Sequence, residues 1–200
     1  AIALSPDGTQ IALGDEDYNI LLYNYPDIDL DNPVQAFSGN VHNINSIAFS
    51  PDGKWLASGN DFTQIFVWDL NSSAEEGVLL EGHTSFIWTV SFSSDSNYLV
   101  SASDDNTVRV WDTGNLSAPS QLLEGHEAFA WSAEFSPDSR YIASGSSDGT
   151  VRIWPTLDTL VELACERVTR NMTQDEWIEF LPDRPYETTC PDLPPHPSTQ

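Results

Sequence analysis

Lysine is almost missing from this chain. Lys54 is the only one, and Lys plus Arg total seven against 31 Asp plus Glu, a formal net charge of −24. A surface so poor in cations repels phosphate backbones and anionic headgroups, so nucleic acid and membrane surfaces are poor partners and basic ones are favoured. A saline habitat accounts for the acidity equally well. Cysteine is scarce too: two in 200 residues make no disulfide framework, and a reducing cytoplasm is the default expectation. No apolar run approaches the roughly 20 residues that span a bilayer. The N-terminus carries no charged segment followed by an apolar one, so no signal peptide is visible. It also lacks an initiator Met and starts like the middle of a repeat, which is the expectation for a piece of a longer protein.

Aromatic residues, in contrast, are plentiful. Seven Trp, nine Phe and six Tyr, within 40% hydrophobic content, exclude a disordered chain and suffice for a sizeable core. They recur in register. Ser5-Pro6-Asp7-Gly8, Ser50-Pro51-Asp52-Gly53, Ser93-Ser94-Asp95-Ser96 and Ser136-Pro137-Asp138-Ser139 begin 45, 43 and 43 residues apart, and Tyr23, Trp68, Trp111 and Trp154 follow the same offsets. Leu4, Phe49, Phe92 and Phe135 each precede their Tyr or Trp by 19 residues. Each unit reads as short strands joined by turns. Thr89–Phe92 alternates before its turn, Tyr98–Ser103 is apolar and small, and Asp105-Asn106 and Asp148-Gly149 are hairpin signals before Val108–Trp111 and Val151–Trp154. Gly77–Leu80 and Gln121–Leu123 add a fourth strand. Four strands in about 43 residues is the period of a propeller blade.

Trp68-Asp69 and Trp111-Asp112, with Gly82-His83 and Gly125-His126 set 28 residues before the Trp of their own unit, resemble the WD-repeat proteins. The resemblance covers residues 1–155. It implies an all-β propeller, most often of about seven blades, of which four repeats are visible here, the first one truncated. It also implies that a buried His, Ser, Asp and Trp join the strands of a blade by hydrogen bonds: His83, Ser101, Asp105 and Trp111 in the third repeat, and His126, Ser144, Asp148 and Trp154 in the fourth. A Ser, a His and an Asp invite comparison with a hydrolase triad, but recurrence in two repeats suits architecture better than one active site. His83 and His126 lack companion Cys or His ligands for zinc. No catalytic residue, metal ligand or cofactor site is therefore assigned.

The departures matter as well. Asn40 stands where His is expected in the second repeat, and Phe62 where Asp is, which puts a normal turn there in doubt. In the first repeat Leu13 replaces Ser, and Tyr23-Asn24 replaces Trp-Asp. These two blades are expected to be held more by apolar packing. Asp27-Ile28-Asp29-Leu30-Asp31-Asn32 has the Asp spacing of a calcium loop without its turn glycine or its bidentate Glu, and is read as a solvated loop.

By the resemblance, the start of each innermost strand borders the recognition face. Asn45, Trp88 and Trp131 stand there, with Asn43, Phe86 and Phe129 two positions earlier and Asp61, Asp104 and Ser147 at the neighbouring turn. The pairs Phe86/Trp88 and Phe129/Trp131, ringed by acidic groups, suit a peptide bearing Arg or Lys. Packing of these rings between blades is the other reading.

After residue 155 the repeat stops. Residues 158–170 read as an amphipathic helix, with Leu160, Val161, Leu163, Ala164 and Val168 on or near one face and Thr159 with Glu162 as a capping box. A second helix is expected from Thr173, with Glu176 three residues on and Trp177, Ile178, Phe180 and Leu181 as its apolar residues, stopped by Pro182. Residues 185–200 form a Pro-rich, extended tail. Residues 156–200 are thus a helical C-terminal extension, which resembles the ending of large bacterial multidomain WD-repeat proteins. That resemblance implies an upstream effector such as a signalling NTPase, protease-like, TIR or kinase domain. Helices here would cover the exposed edge of the last blade, and Cys165 and Cys190 are expected as two buried thiols. The chain therefore reads as a non-catalytic protein-interaction scaffold or sensor, completing a propeller with upstream blades. The alternative is a propeller that only regulates or autoinhibits an attached effector. An enzyme using surface carboxylates is a more distant rival.

Overall fold

A computed structural model describes residues 1–72, 76–165 and 190. The expected second helix from Thr173, the end of the first helix beyond Cys165 and the Pro-rich tail lie outside the described residues. The chain divides into two compact units, Ala1–Trp154 and Pro155–Gln200.

The first unit is all β. Its strands are β1 (Ile2–Leu4), β2 (Gln10–Gly14), β3 (Ile20–Asn24), β4 (Gln35–Phe37), β5 (Ile44–Phe49), β6 (Trp55–Asn60), β7 (Ile65–Asp69), β8 (Val78–Leu80), β9 (Ile87–Phe92), β10 (Tyr98–Ser103), β11 (Val108–Asp112), β12 (Gln121–Leu123), β13 (Ala130–Phe135), β14 (Tyr141–Ser146) and β15 (Val151–Pro155). They form antiparallel meanders in the orders β1-β2-β3-β4, β5-β6-β7-β8, β9-β10-β11-β12 and β13-β14-β15, here blades 1 to 4.

The turn after the first strand of each blade shows why the repeat folds as it does. The Ser5, Ser50, Ser93 and Ser136 hydroxyls donate to Asp7, Asp52, Asp95 and Asp138 at 2.5–2.6 Å. The same hydroxyl oxygens accept the backbone N–H of Gln10, Trp55, Tyr98 and Tyr141 at 2.8–3.0 Å, starting the second strand. Gly8, Gly53, Ser96 and Ser139 follow each Asp with φ between 58° and 72°. This is left-handed backbone that glycine enters freely and that serine holds here at a cost.

Apolar residues fill the spaces between successive blades. Ala12, Ile20, Leu22 and Phe37 of blade 1 meet Ile47, Leu56, Phe66 and Trp68 of blade 2. Ala57, Ile65, Val67 and Leu80 meet Ile87, Val90, Phe92 and Leu99, and Val100, Val108, Val110 and Leu123 meet Ala130, Ala133 and Ile142. Polar bonds cross the same seams: Asn45 Nδ2 donates to the Ile87 carbonyl at 2.9 Å, Val90 N–H to Ser46 Oγ at 3.1 Å and Thr89 Oγ1 to the Trp131 carbonyl at 2.7 Å. Blade 4 has no blade beyond it among the described residues. Val151 and Ile153, repeat equivalents of the buried Val108 and Val110, are 74% and 61% exposed. At the other end Ile2 and Leu4 are exposed where Ile47, Val90 and Phe92 are buried.

In the second unit, helix α1 spans Leu157–Cys165. It starts earlier than the expected Thr159 cap. Thr156 precedes it, with its carbonyl accepting the Leu160 N–H at 2.8 Å and its hydroxyl donating to Thr159 Oγ1 at 3.1 Å. Thr159 is thereby a buried residue of the first turn rather than the cap. The expected free thiols are corrected: Cys165 and Cys190 form a disulfide with a Cα–Cα distance of 5.5 Å. Compartment-based reasoning favoured thiols, but the fold returns residue 190 to within bridging distance of α1. No helix among the described residues is long and apolar enough to cross a membrane.

Candidate functional site

Two sets of polar residues need separating: those sealed inside the blades and those at the blade ends. Inside blade 3, His83 Nδ1 lies 2.8 Å from Asp105 Oδ2 and His83 Nε2 lies 2.8 Å from Ser101 Oγ. Trp111 Nε1 donates to the same Ser101 oxygen at 2.9 Å. One proton arrangement satisfies every group: Trp111 N–H to Ser101, Ser101 O–H to His83 Nε2, and His83 Nδ1–H to an ionised Asp105. Burial pushes the His83 pKa down and keeps the ring neutral, although Asp105 pulls the other way. Burial raises Asp105, but hydrogen bonds from His83, Thr107 and the Thr84 N–H outweigh it and hold the carboxyl well below the carboxylate range.

Blade 4 repeats the arrangement. His126 contacts Asp148 at 3.0 Å and Ser144 at 2.8 Å, and Trp154 Nε1 donates to Ser144 at 2.8 Å. Hydrogen bonds from the Thr150 hydroxyl first, then the Glu127 and Thr150 N–H groups, hold the Asp148 carboxyl down. Ser101 is wholly buried and Ser144 nearly so. Each serine hydroxyl is committed to its His and Trp, which leaves no approach for a substrate. Chemically these sets fix strands and present no nucleophile.

Blade 2 builds its end differently. Ser58 Oγ donates to Asn40 Oδ1 at 3.2 Å. The turn after β6 is made by Asn60, whose Oδ1 accepts the N–H groups of Phe62 and Gln64 at 3.2 Å. Asn60 stands at the repeat position of Ser103, so the doubtful second turn is closed by a residue two places before the missing Asp. Phe62, relieved of any turn-holding role, is exposed and stacks on His42 with ring centroids 4.5 Å apart. Sequence reasoning marked Phe62 only as a departure from the repeat and missed its stacking partner His42. The available signal was a large apolar residue at a position where blades 3 and 4 carry Asp105 and Asp148.

The blade ends bring the turn residues to the starts of the innermost strands. The N–H groups of Asp61, Asp104 and Ser147 donate to the carbonyls of Asn43, Phe86 and Phe129 at 2.9–3.0 Å. Asn43 Nδ2 also donates to Asp61 Oδ2 at 2.7 Å. Asn45 turns its amide onto the Ile87 carbonyl of the next blade, and Ser147 is exposed. The aromatic residues of blades 3 and 4 form one continuous arc. Phe86 meets Trp88 edge-on at 6.4 Å, Trp88 meets Trp131 at 4.8 Å, and Trp131 meets Phe129 edge-on at 6.1 Å. These rings pack across the seam between the blades, yet Phe86, Trp131 and Phe129 keep 43–45% of their surface exposed. The Trp88 indole donates to Asp104 Oδ1. Ser147 occupies that position in blade 4, so the Trp131 indole N–H has no matching carboxylate.

No group of three or more His, Cys, Asp or Glu that could hold a metal occurs among the described residues. At the calcium-like stretch, Asp29 instead closes its own loop, with its oxygens accepting the Asp31 N–H at 3.2 Å and Asn32 Nδ2 at 2.9 Å.

Comparison with known proteins agrees with this geometry. The family model described as WD domain, G-beta repeat matches residues 31–69, 75–112 and 117–155. Protein HIR1 of Kluyveromyces lactis is 31% identical over 87 residues, covering 36% of this chain and 10% of that protein. WD repeat-containing protein 36 of Homo sapiens is 39% identical over 69 residues, covering 34% of this chain and 7% of that protein. The target of rapamycin complex subunit LST8 of Bos taurus is 31% identical over 72 residues, covering 36% of this chain and 22% of that protein. The chain thus spans a small part of the length of the curated relatives it matches. With the family model covering more than half of its residues, in blades of the expected strand order, this chain belongs to the WD domain, G-beta repeat family.

Proposed function

We propose that this chain is a non-catalytic protein-interaction module, a scaffold or sensor within a larger multidomain protein, and that it takes a basic protein or peptide on its blade-end face. Asn45, Phe86, Trp88, Asp104, Phe129, Trp131 and Ser147 belong to that face. The carrying observation is the aromatic arc, since half-exposed aromatic rings spanning two rigid blades resemble the anchors that dominate protein interfaces. The net charge of −24 favours a basic partner. A relative named as a complex subunit supports a role in an assembly. Further blades complete the propeller, as supported by the exposed faces of Val151 and Ile153 at one end and Ile2 and Leu4 at the other.

The test is capture of partners by the chain and by its Phe86→Ala/Trp131→Ala variant, with the melting curve of each. A specific partner retained by the parent, lost by the variant and accompanied by an unchanged melt is the expected result. A partner retained equally by both, or a variant that fails to fold while Phe129→Ala folds and still binds, moves recognition away from this arc.

A further inference from the structure

Within that reading, we infer that the arc receives an arginine side chain, with Trp131 as the ring it lies on and Asp104 as its counter-charge. Asp104 sits one ring away from Trp131: it accepts the Trp88 indole N–H through Oδ1, and Trp88 touches Trp131 at 4.8 Å. The bond to Asp104 fixes the Trp88 ring and uses one carboxylate oxygen. The other accepts nothing among the described residues, and Asp104 is only half-buried. Trp131 has no such anchor among the described residues and keeps nearly half its surface open. The Trp88 wall thus joins a half-open ring on one side to a carboxylate on the other, at the seam between blades 3 and 4.

The chemistry of the cation decides between arginine and lysine. A guanidinium is flat, stacks on an indole face while donating in its own plane, and is weakly hydrated. It can therefore lie on Trp131 and still reach Asp104. An ammonium is compact and strongly hydrated, and at rings this open it retains its water and gains less from the indole. Asp104 is a single carboxylate with one free oxygen, so the ring contact has to supply part of the recognition. That requirement selects the planar cation.

The test uses the full chain with four tripeptide probes, acetyl-Gly-X-Gly-amide, in which X is arginine, lysine, citrulline or norleucine, at about 0.15 M salt. Indole N–H resonances are followed, with those of Trp88 and Trp131 identified by Trp88→Phe and Trp131→Phe. The arginine probe is expected to shift both resonances and to bind several-fold more tightly than lysine, with citrulline and norleucine weaker still. Asp104→Asn keeps an acceptor for the Trp88 indole and removes the charge, so it should weaken arginine about tenfold without altering the melt. Equal binding of arginine and citrulline, lysine equal to or better than arginine, or indifference to Asp104→Asn overturns the arginine assignment but leaves a peptide-binding face standing. If no probe moves either resonance, and Phe86→Ala/Trp131→Ala captures the same partners as the parent, the face itself is wrong and this inference falls with it.

Discussion

Blades 2 and 3 are neighbours with the same strand order, yet they join their strands by different chemistry. Blade 3 runs a chain of polar groups from Trp111 through Ser101 and His83 to Asp105. In blade 2 a Ser58–Asn40 bond stands in place of the Ser101–His83 one, and aromatic contacts are added. Trp68 stacks on Phe66 at 5.9 Å and tilts against Phe37 at 5.6 Å. Phe66 occupies the repeat position of Arg109, whose guanidinium donates to Ser120 at 2.8 Å. The blade therefore tolerates replacement of the His and the Asp when an amide takes the serine hydroxyl and another residue closes the turn. Buried polar groups must be satisfied, but the architecture does not prescribe which groups they are.

The sharpest way to break the comparison is to remove the two equivalent residues. His83→Ala strands Ser101 and Asp105 and leaves a cavity, so unfolding in urea should show a loss of about 3 kcal/mol. Asn40→Ala removes a weaker bond together with an amide nitrogen that has no partner among the described residues, and should cost about 1 kcal/mol or less. Equal losses would mean that the polar chain adds nothing beyond side-chain volume.

A second pair sharpens the role of neighbours. Gly59 and Gly145 stand at the same repeat position, but a Cβ on Gly59 would lie 2.5 Å from Ile87 Cγ2, whereas one on Gly145 meets nothing within 4 Å among the described residues. Gly59→Ala should destabilise by about 2 kcal/mol through overpacking, and Gly145→Ala should be neutral to within about 0.5 kcal/mol. Thermal melts of the two variants check this directly.

The smallest effect is in pH. Asp105 has a folded pKa below its ordinary 3.8, so the stability it contributes is present above about pH 4 and is lost as the pH falls from there. His83 has a folded pKa below 6.5, so its neutral form also favours folding above that value, and its contribution declines in acid. Urea midpoints should therefore fall between pH 7 and pH 3. Asp105→Asn, less stable at pH 7, should lose roughly 1 kcal/mol less over the same interval. Parallel pH curves would show that Asp105 is not perturbed as its contacts indicate.

The repeat made the strands legible because one serine–aspartate turn and one aromatic residue recur in fixed register, and physics assigns each a single job. Ser101, His83, Asp105 and Trp111 were lined up through the resemblance to WD-repeat proteins, which the same register carried. Substitution of function between positions was not legible. Asn60 closes a turn from a place where blade 3 has Ser103, and nothing in a single Asn announces that exchange. The Trp88–Asp104 bond joins residues 16 apart whose pairing depends on a turn folding back. Thr156 was overlooked as a cap because it follows Pro155, and the Thr159–Glu162 spacing offered a more familiar pattern.

The Cys165–Cys190 bond gives the molecule a chemical record of where it folded. A chain that matured in a reducing compartment carries two thiols open to alkylation on denaturation, and one that matured under oxidising conditions carries none. Alkylating cells at the moment of lysis and weighing the intact chain therefore turns a structural bond into an address label. The mass difference of two blocked thiols reports the compartment without any localisation signal having to be found.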